Sequence, residues 1–119
     1  MRLAIYTCVV NDYDVVLPPA RDCDGVEFFC FTDKPERRIK GWKMMCLAHP
    51  GEVVSPSLIN RYHKFFPERV LPKEIDCSIY VDGNVRVTEN PRSWAEEHGK
   101  DGVPIVVFAH PDRNTIKEE

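Results

Sequence analysis

Leu3-Ala4-Ile5-Tyr6-Thr7-Cys8-Val9-Val10 runs directly into Asn11-Asp12-Tyr13-Asp14. Eight residues of almost uninterrupted apolar character, five of them β-branched or aromatic, end abruptly in polar turn formers. A strand with one wet face alternates polar and apolar residues. A run without alternation predicts a strand covered on both faces, as in a parallel sheet. One Arg precedes the run, which raises a secretory leader as an alternative. The run is too short and too β-branched for that, and no small-residue cleavage site follows. It is read as a first strand, and the chain as cytoplasmic or as a piece cut from a longer protein.

Working outward, Val26–Thr32 (VEFFCFT) is a second apolar run, Trp42–Leu47 a weaker third, Ser78–Val81 a fourth and Val103–Ala109 a fifth. Two helices fall between them. Ser55-Pro56 supplies a cap and a first-turn proline. Leu58, Tyr62, Phe65 and Phe66 then follow at helical spacing as one apolar stripe, with Arg61 and Lys64 off it and Pro67 as the stop. Asn90-Pro91 opens the second helix, which passes through His98 and closes at Gly99. The order strand, strand, strand, helix, strand, helix, strand predicts an α/β layered domain with a mostly parallel sheet.

Composition narrows the function classes. The 119 residues are 43% apolar and 29% charged, enough apolar content to build a core and too much for a disordered chain. Sixteen basic against nineteen acidic residues leave a net charge of −3, with no positive surplus for a nucleic-acid backbone. No run reaches the roughly 18–20 apolar residues of a transmembrane helix. Cys8, Cys23, Cys30, Cys46 and Cys77 are odd in number and contain no C-x-x-C pair, which argues against a disulfide framework or a structural zinc site. No base adjacent in sequence marks any of them as a nucleophile.

In parallel α/β sheets ligands bind beyond the carboxyl ends of the strands. There the sequence places Asn11, Asp12, Tyr13 and Asp14 after the first strand, and Asp33 after the second. Asp82-Gly83-Asn84 follows the fourth, and His110-Pro111-Asp112-Arg113 the fifth. Hard oxygen donors suit Mg2+ or Mn2+, which take a few protein ligands and complete their shells with water and phosphate. Asp82 and Asn84 are candidate ligands, the intervening Gly would let a diphosphate approach the backbone, and Arg61 and Lys64 would add positive charge. Asp-Gly between Ile79-Tyr80-Val81 and Val85-Arg86-Val87 is equally a β-hairpin signal, and both readings stand. Taken singly, Arg61 and Lys64 read as a solvated helix face, Tyr13 as loop packing, Asp33 as a turn former and His110 as a hydrogen-bonded strand end. His49 and His98 read as surface residues, and His63 shows no partner in sequence.

Four blocks, in order, carry a likeness to a known family. They are Ile5-Tyr6-Thr7 through Asn11-Asp12-Tyr13-Asp14; Phe29-Cys30-Phe31-Thr32-Asp33; Asn60-Arg61-Tyr62-His63-Lys64 leading to Ser78-Ile79-Tyr80-Val81-Asp82-Gly83-Asn84-Val85; and Phe108-Ala109-His110-Pro111-Asp112-Arg113 with Glu118-Glu119. In these the chain resembles the glycosyltransferase-like domain family that includes the plant rhamnogalacturonan galacturonosyltransferases, with bacterial and phage members. Asn11 stands where that family usually has Gly.

The resemblance implies a GT-A-like nucleotide-diphospho-sugar fold, with residues 1–119 as a single domain matching the donor half and lacking an acceptor part. It implies Asp82 and Asn84 as ligands of a divalent metal, Mn2+ or Mg2+. Thr7, Tyr13, Asp14, Asp33, Arg61, Lys64, His110 and Arg113 would surround the nucleotide-sugar donor. The implied activity is metal-dependent transfer of a hexose or uronic acid to a glycan acceptor, of the hexosyltransferase type and retaining by analogy. Uncovered sheet edges in so short a domain predict self-association into a homo-oligomer. Two other classes compete: a noncatalytic module that binds nucleotide, sugar or a protein partner, and a phosphoryl-transfer or hydrolase domain using Asp14, Asp33 and Asp82 around magnesium. The last lacks a Gly-rich phosphate loop and a nucleophile motif.

Overall fold

A computed structural model describes residues 1–48 and 55–99. Among these residues four strands form one sheet, β1 (Leu3–Val9), β2 (Val26–Thr32), β3 (Lys43–Cys46) and β4 (Cys77–Tyr80). Their order is β3-β2-β1-β4, and all three pairings are parallel. Three helices accompany them, α1 (Pro56–Phe65), α2 (Pro67–Val70) and α3 (Arg92–Gly99). The α/β class and the parallel sheet expected from the apolar runs are present. The expected fifth strand at Val103–Ala109 lies outside the described residues.

β1 is central because every one of its residues can be buried. Leu3 pairs with Val26 on one side and Cys77 on the other. Alternate residues feed two cores. Ala4, Tyr6 and Cys8 pack with Phe29, Phe31, Ile59 and Leu71 on the α1 face. Ile5 and Val9 pack with Val16, Phe28, Cys30 and Trp42 on the opposite face. Among the described residues that second face is covered by Val16 and Cys23 from the β1–β2 connection, Ile39 and Trp42 from the β2–β3 connection, and Val87 after β4. Steps from β1 outward to β3 thus cross one face, and the return to β4 through α1 crosses the other. A constant crossover hand requires that arrangement.

α1 begins as its sequence predicts. The Ser55 hydroxyl caps the Leu58 amide at 3.3 Å and Pro56 occupies the first turn. Its buried face differs from the predicted stripe. Ile59 and His63 are buried, while Leu58 and Phe65 are 50% and 60% exposed. A histidine can line a core when both ring nitrogens are satisfied. The Ala48 amide donates to His63 Nε2 at 3.0 Å, and Nδ1 bonds the Ile59 carbonyl at 2.8 Å. The ring then packs on Phe31 at 5.0 Å between centroids. Pro67 does not end helical structure; it opens the short α2, whose Leu71 amide bonds the Pro67 carbonyl. Among the described residues, no helix is long and apolar enough to cross a membrane.

Candidate functional site

The strand order reverses direction at β1, with β2 and β3 to one side and β4 to the other. Beyond the carboxyl ends of β1 and β4 is where such a sheet offers a crevice. Two turns meet there. The first follows β1: Tyr13 N bonds Val10 O at 3.3 Å around Asn11 and Asp12, both left-handed at φ 56° and 53°. Asn and Asp are the side-chain-bearing residues that tolerate this region best. The second follows β4, where Val85 N bonds Asp82 O at 3.0 Å.

Gly83 joins the turns. It is buried, and a Cβ there would lie 2.7 Å from Val9 Cγ2 and 2.8 Å from Asp14 Cβ. Only a residue without a side chain lets the β4 turn press so closely on the β1 loop. The predicted hairpin does not form. Val85–Val87 is not a strand; instead Ala20 N bonds Val87 O at 2.8 Å and Arg86 Nε bonds Pro18 O at 3.1 Å. The chain after Gly83 therefore runs onto the β1–β2 connection rather than back along β4.

The carboxylates at this edge divide into two sets. Asp12 forms ion pairs with Lys34 and Arg37, and the Lys34 bond first, with Arg37 after it, holds its carboxyl below the usual range. Asp33 Oδ2 accepts from Asn11 N at 3.1 Å, tying the β2 end to the β1 turn. Asp14 and Asp82 make no side-chain hydrogen bond or ion pair with the described residues, and neither does Asn84. Asp14 is half-buried against Gly83, and Asp82 and Asn84 are exposed on either side of it.

A half-buried polar bridge links α1 to β1 and β4 near this edge. Asn60 Nδ2 of α1 donates to Cys8 O of β1 at 2.7 Å, and Tyr80 OH of β4 donates to Asn60 Oδ1 at 3.3 Å. Burial, then the charge of Asp82, pushes the Tyr80 phenol up to about 12, with the Asn60 bond opposing. Tyr6 stacks edge-on to Tyr80 at 5.3 Å and donates to Lys64 O at 2.7 Å. Lys64 Nζ lies over the Tyr80 ring, 5.4 Å from its centre. Asn60 belonged to a recognised sequence block but not to the predicted site. No spacing in the sequence marked it, because the inward face of α1 through Ile59 is set by the tertiary packing.

The remaining predicted residues scatter. Thr7 is fully buried within β1 on the Ile5 and Val9 side, and its hydroxyl has no partner among the described residues. Tyr13 is 88% exposed at the tip of its turn. Arg61 is exposed, two residues from each of the buried Ile59 and His63, and so projects from the solvent side of α1. His110 and Arg113 lie outside the described residues. Burial pushes the Cys8 and Cys30 thiols up to about 12 and about 11, the state of inert core thiols. Two clefts, of about 560 Å³ beside Pro18, Phe28 and Arg86 and about 360 Å³ beside Leu71 and Cys77, open away from the Asp82 turn.

Carboxylate and amide oxygens are the donor chemistry Mg2+ and Mn2+ prefer. Among the described residues no three His, Cys, Asp or Glu side chains group to hold a metal unaided. Ions of this kind complete their shell with phosphate and water, so two or three oxygens on one edge fit that use. No family model matches the chain, and no curated protein or solved structure matches it significantly.

Proposed function

We propose that the chain is a glycosyltransferase-related domain of the GT-A type. It binds a nucleotide-diphosphate sugar through a divalent metal and donates a hexose or uronic acid to a glycan acceptor. The observation that carries this reading is the seating of Gly83 against Val9 and Asp14, which puts Asp14, Asp82 and Asn84 on one edge with their oxygens unengaged by the described residues. Asp82 and Asn84 would hold the ion, whose contribution when bound is to neutralise charge on the departing diphosphate. Asn84 is a neutral ligand, so affinity is lower than for paired carboxylates. Lys64, poised over Tyr80 two positions before Asp82, supplies the nearby cation. Arg61, on the solvent side of α1, is not part of this reading.

The test is thermal unfolding with manganese and uridine or guanosine diphosphate. A ligand that binds only the folded state raises the midpoint by on the order of 10 °C at about 100 times its Kd. Asp82→Ala removes that rise while leaving the unliganded midpoint in place. No rise at millimolar nucleotide, or an undiminished rise in Asp82→Ala, would defeat the assignment. A rise without sugar hydrolysis or transfer selects the noncatalytic nucleotide-binding module.

A further inference from the structure

α1 leaves unburied the stripe its sequence predicts to be core. Leu58 and Phe65, seven positions apart, share the outer side of the helix with Arg61 between them. Phe66 continues the surface at 37% exposure, with the Arg69 guanidinium stacked 4.6 Å from its ring centre. Lys64 Nζ reaches back over the Phe65 ring at 5.6 Å. From Ser55 to Val70 the chain carries Arg61, Lys64 and Arg69 against one acid, Glu68, although the whole chain is net −3. The charge of this surface is thus reversed relative to the molecule. Exposed Leu and Phe beside arginines have the composition of a helix that lies in the headgroup region of a bilayer, apolar side chains down and guanidinium groups at the phosphates.

We propose that the outer face of α1, with Leu58, Arg61 and Phe65, together with the adjoining Phe66 and the Arg69 of α2, is a docking surface for an anionic membrane. Apolar insertion supplies contact area, and the arginines select negatively charged headgroups. The assignment does not use Asp14, Asp82 or Asn84 and stands or falls apart from nucleotide binding.

The full chain is to be mixed with phosphatidylcholine vesicles, with and without phosphatidylserine, and sedimented. Binding to the serine-containing vesicles alone, weakening as salt screens the arginines, is the expected result. Arg61→Gln/Arg69→Gln lowers affinity by about fivefold per arginine. Leu58→Ser/Phe65→Ser, at exposed positions with the folded midpoint checked in parallel, lowers it at least as far. Equal binding to both vesicle types would overturn the proposal, as would binding unaltered in either double variant. Absence of binding at low salt overturns it too. If that absence accompanies a dimer that Leu58→Ser/Phe65→Ser dissociates, the face belongs to a second copy of the chain. If the protein is then monomeric, the face is covered from within the chain.

Discussion

The two ends of the sheet treat charge differently. At the amino edge, ionic groups close on one another. Glu27 accepts from both Arg2 and Lys43, joining the start of β2 to β3 and to the residue before β1. Asp76 accepts from the Arg2 amide at 2.7 Å, and Arg92 at the head of α3 donates to Met1 O and Gly25 O. At the carboxyl edge Asp12 and Asp33 are engaged, while Asp14, Asp82 and Asn84 make no side-chain hydrogen bond or ion pair with the described residues. Holding like-charged oxygens together without neutralising them confers no stability on the fold. An edge built that way is suited to a ligand, and its opposite number is suited to fastening strand ends.

That contrast can be broken most severely at Gly83. Gly83→Ala drives a methyl into Val9 and Asp14, a clash expected to cost about 1–3 kcal/mol and to abolish any manganese or nucleotide response. Denaturant unfolding reads the first effect and ligand-induced midpoint shifts the second; an unperturbed variant would mean that the two turns are not mutually seated. Asn60→Ala comes next. Removing a half-buried amide that serves Cys8 O and Tyr80 OH should cost about 1–2 kcal/mol and weaken metal-nucleotide binding, because the Tyr80 end of β4 loses its anchor. Tyr80→Phe isolates half of the bridge, and the pair of variants is expected to be non-additive in a double-mutant cycle.

The smallest effect belongs to the amino edge and to pH. Lys43 first and Arg2 second hold the Glu27 carboxyl below its usual range. A depressed carboxylate contributes stability that is complete above its unfolded pKa, about 4.3, and is lost as pH falls through the folded value. The midpoint should therefore drop on acidification below about pH 4. Glu27→Gln should lower it by about 2–4 °C at neutral pH and flatten the acid limb. An unchanged acid limb would show that the amino-edge ion pairs are idle.

The parts of the fold legible in sequence were those with a local cause. β1 and β2 follow from unbroken apolar runs, and the start of α1 from Ser55-Pro56. The buried face of α1 differs from the expected one because Leu58, Tyr62, Phe65 and Phe66 keep helical spacing without Ile59 or His63. The helix touches the sheet along the narrow line of Ile59 and His63, and the solvation of His63 by two backbone groups is a tertiary fact. α2 was missed because a proline that ends one helix also opens another. At the candidate site, the residue types at the strand ends were readable. Which of them are neutralised was not, since Asp12 rather than Asp14 meets Lys34 and Arg37 through a turn with two left-handed residues. Gly83 was read as room for a diphosphate, whereas the space beside it is filled by Val9 and Asp14.

The placement of β1 between a near and a distant strand has a kinetic consequence. Leu3 meets Val26, 23 positions on, but Cys77 only 74 positions on. Closing the longer loop costs about 1 kcal/mol more in chain entropy than closing the shorter. The β1–β2 ribbon can therefore assemble early, and β4 docks late, bringing Asp82 to Asp14 as one of the final events of folding. A refolding experiment should see the ribbon protected against hydrogen exchange before the neighbourhood of Gly83.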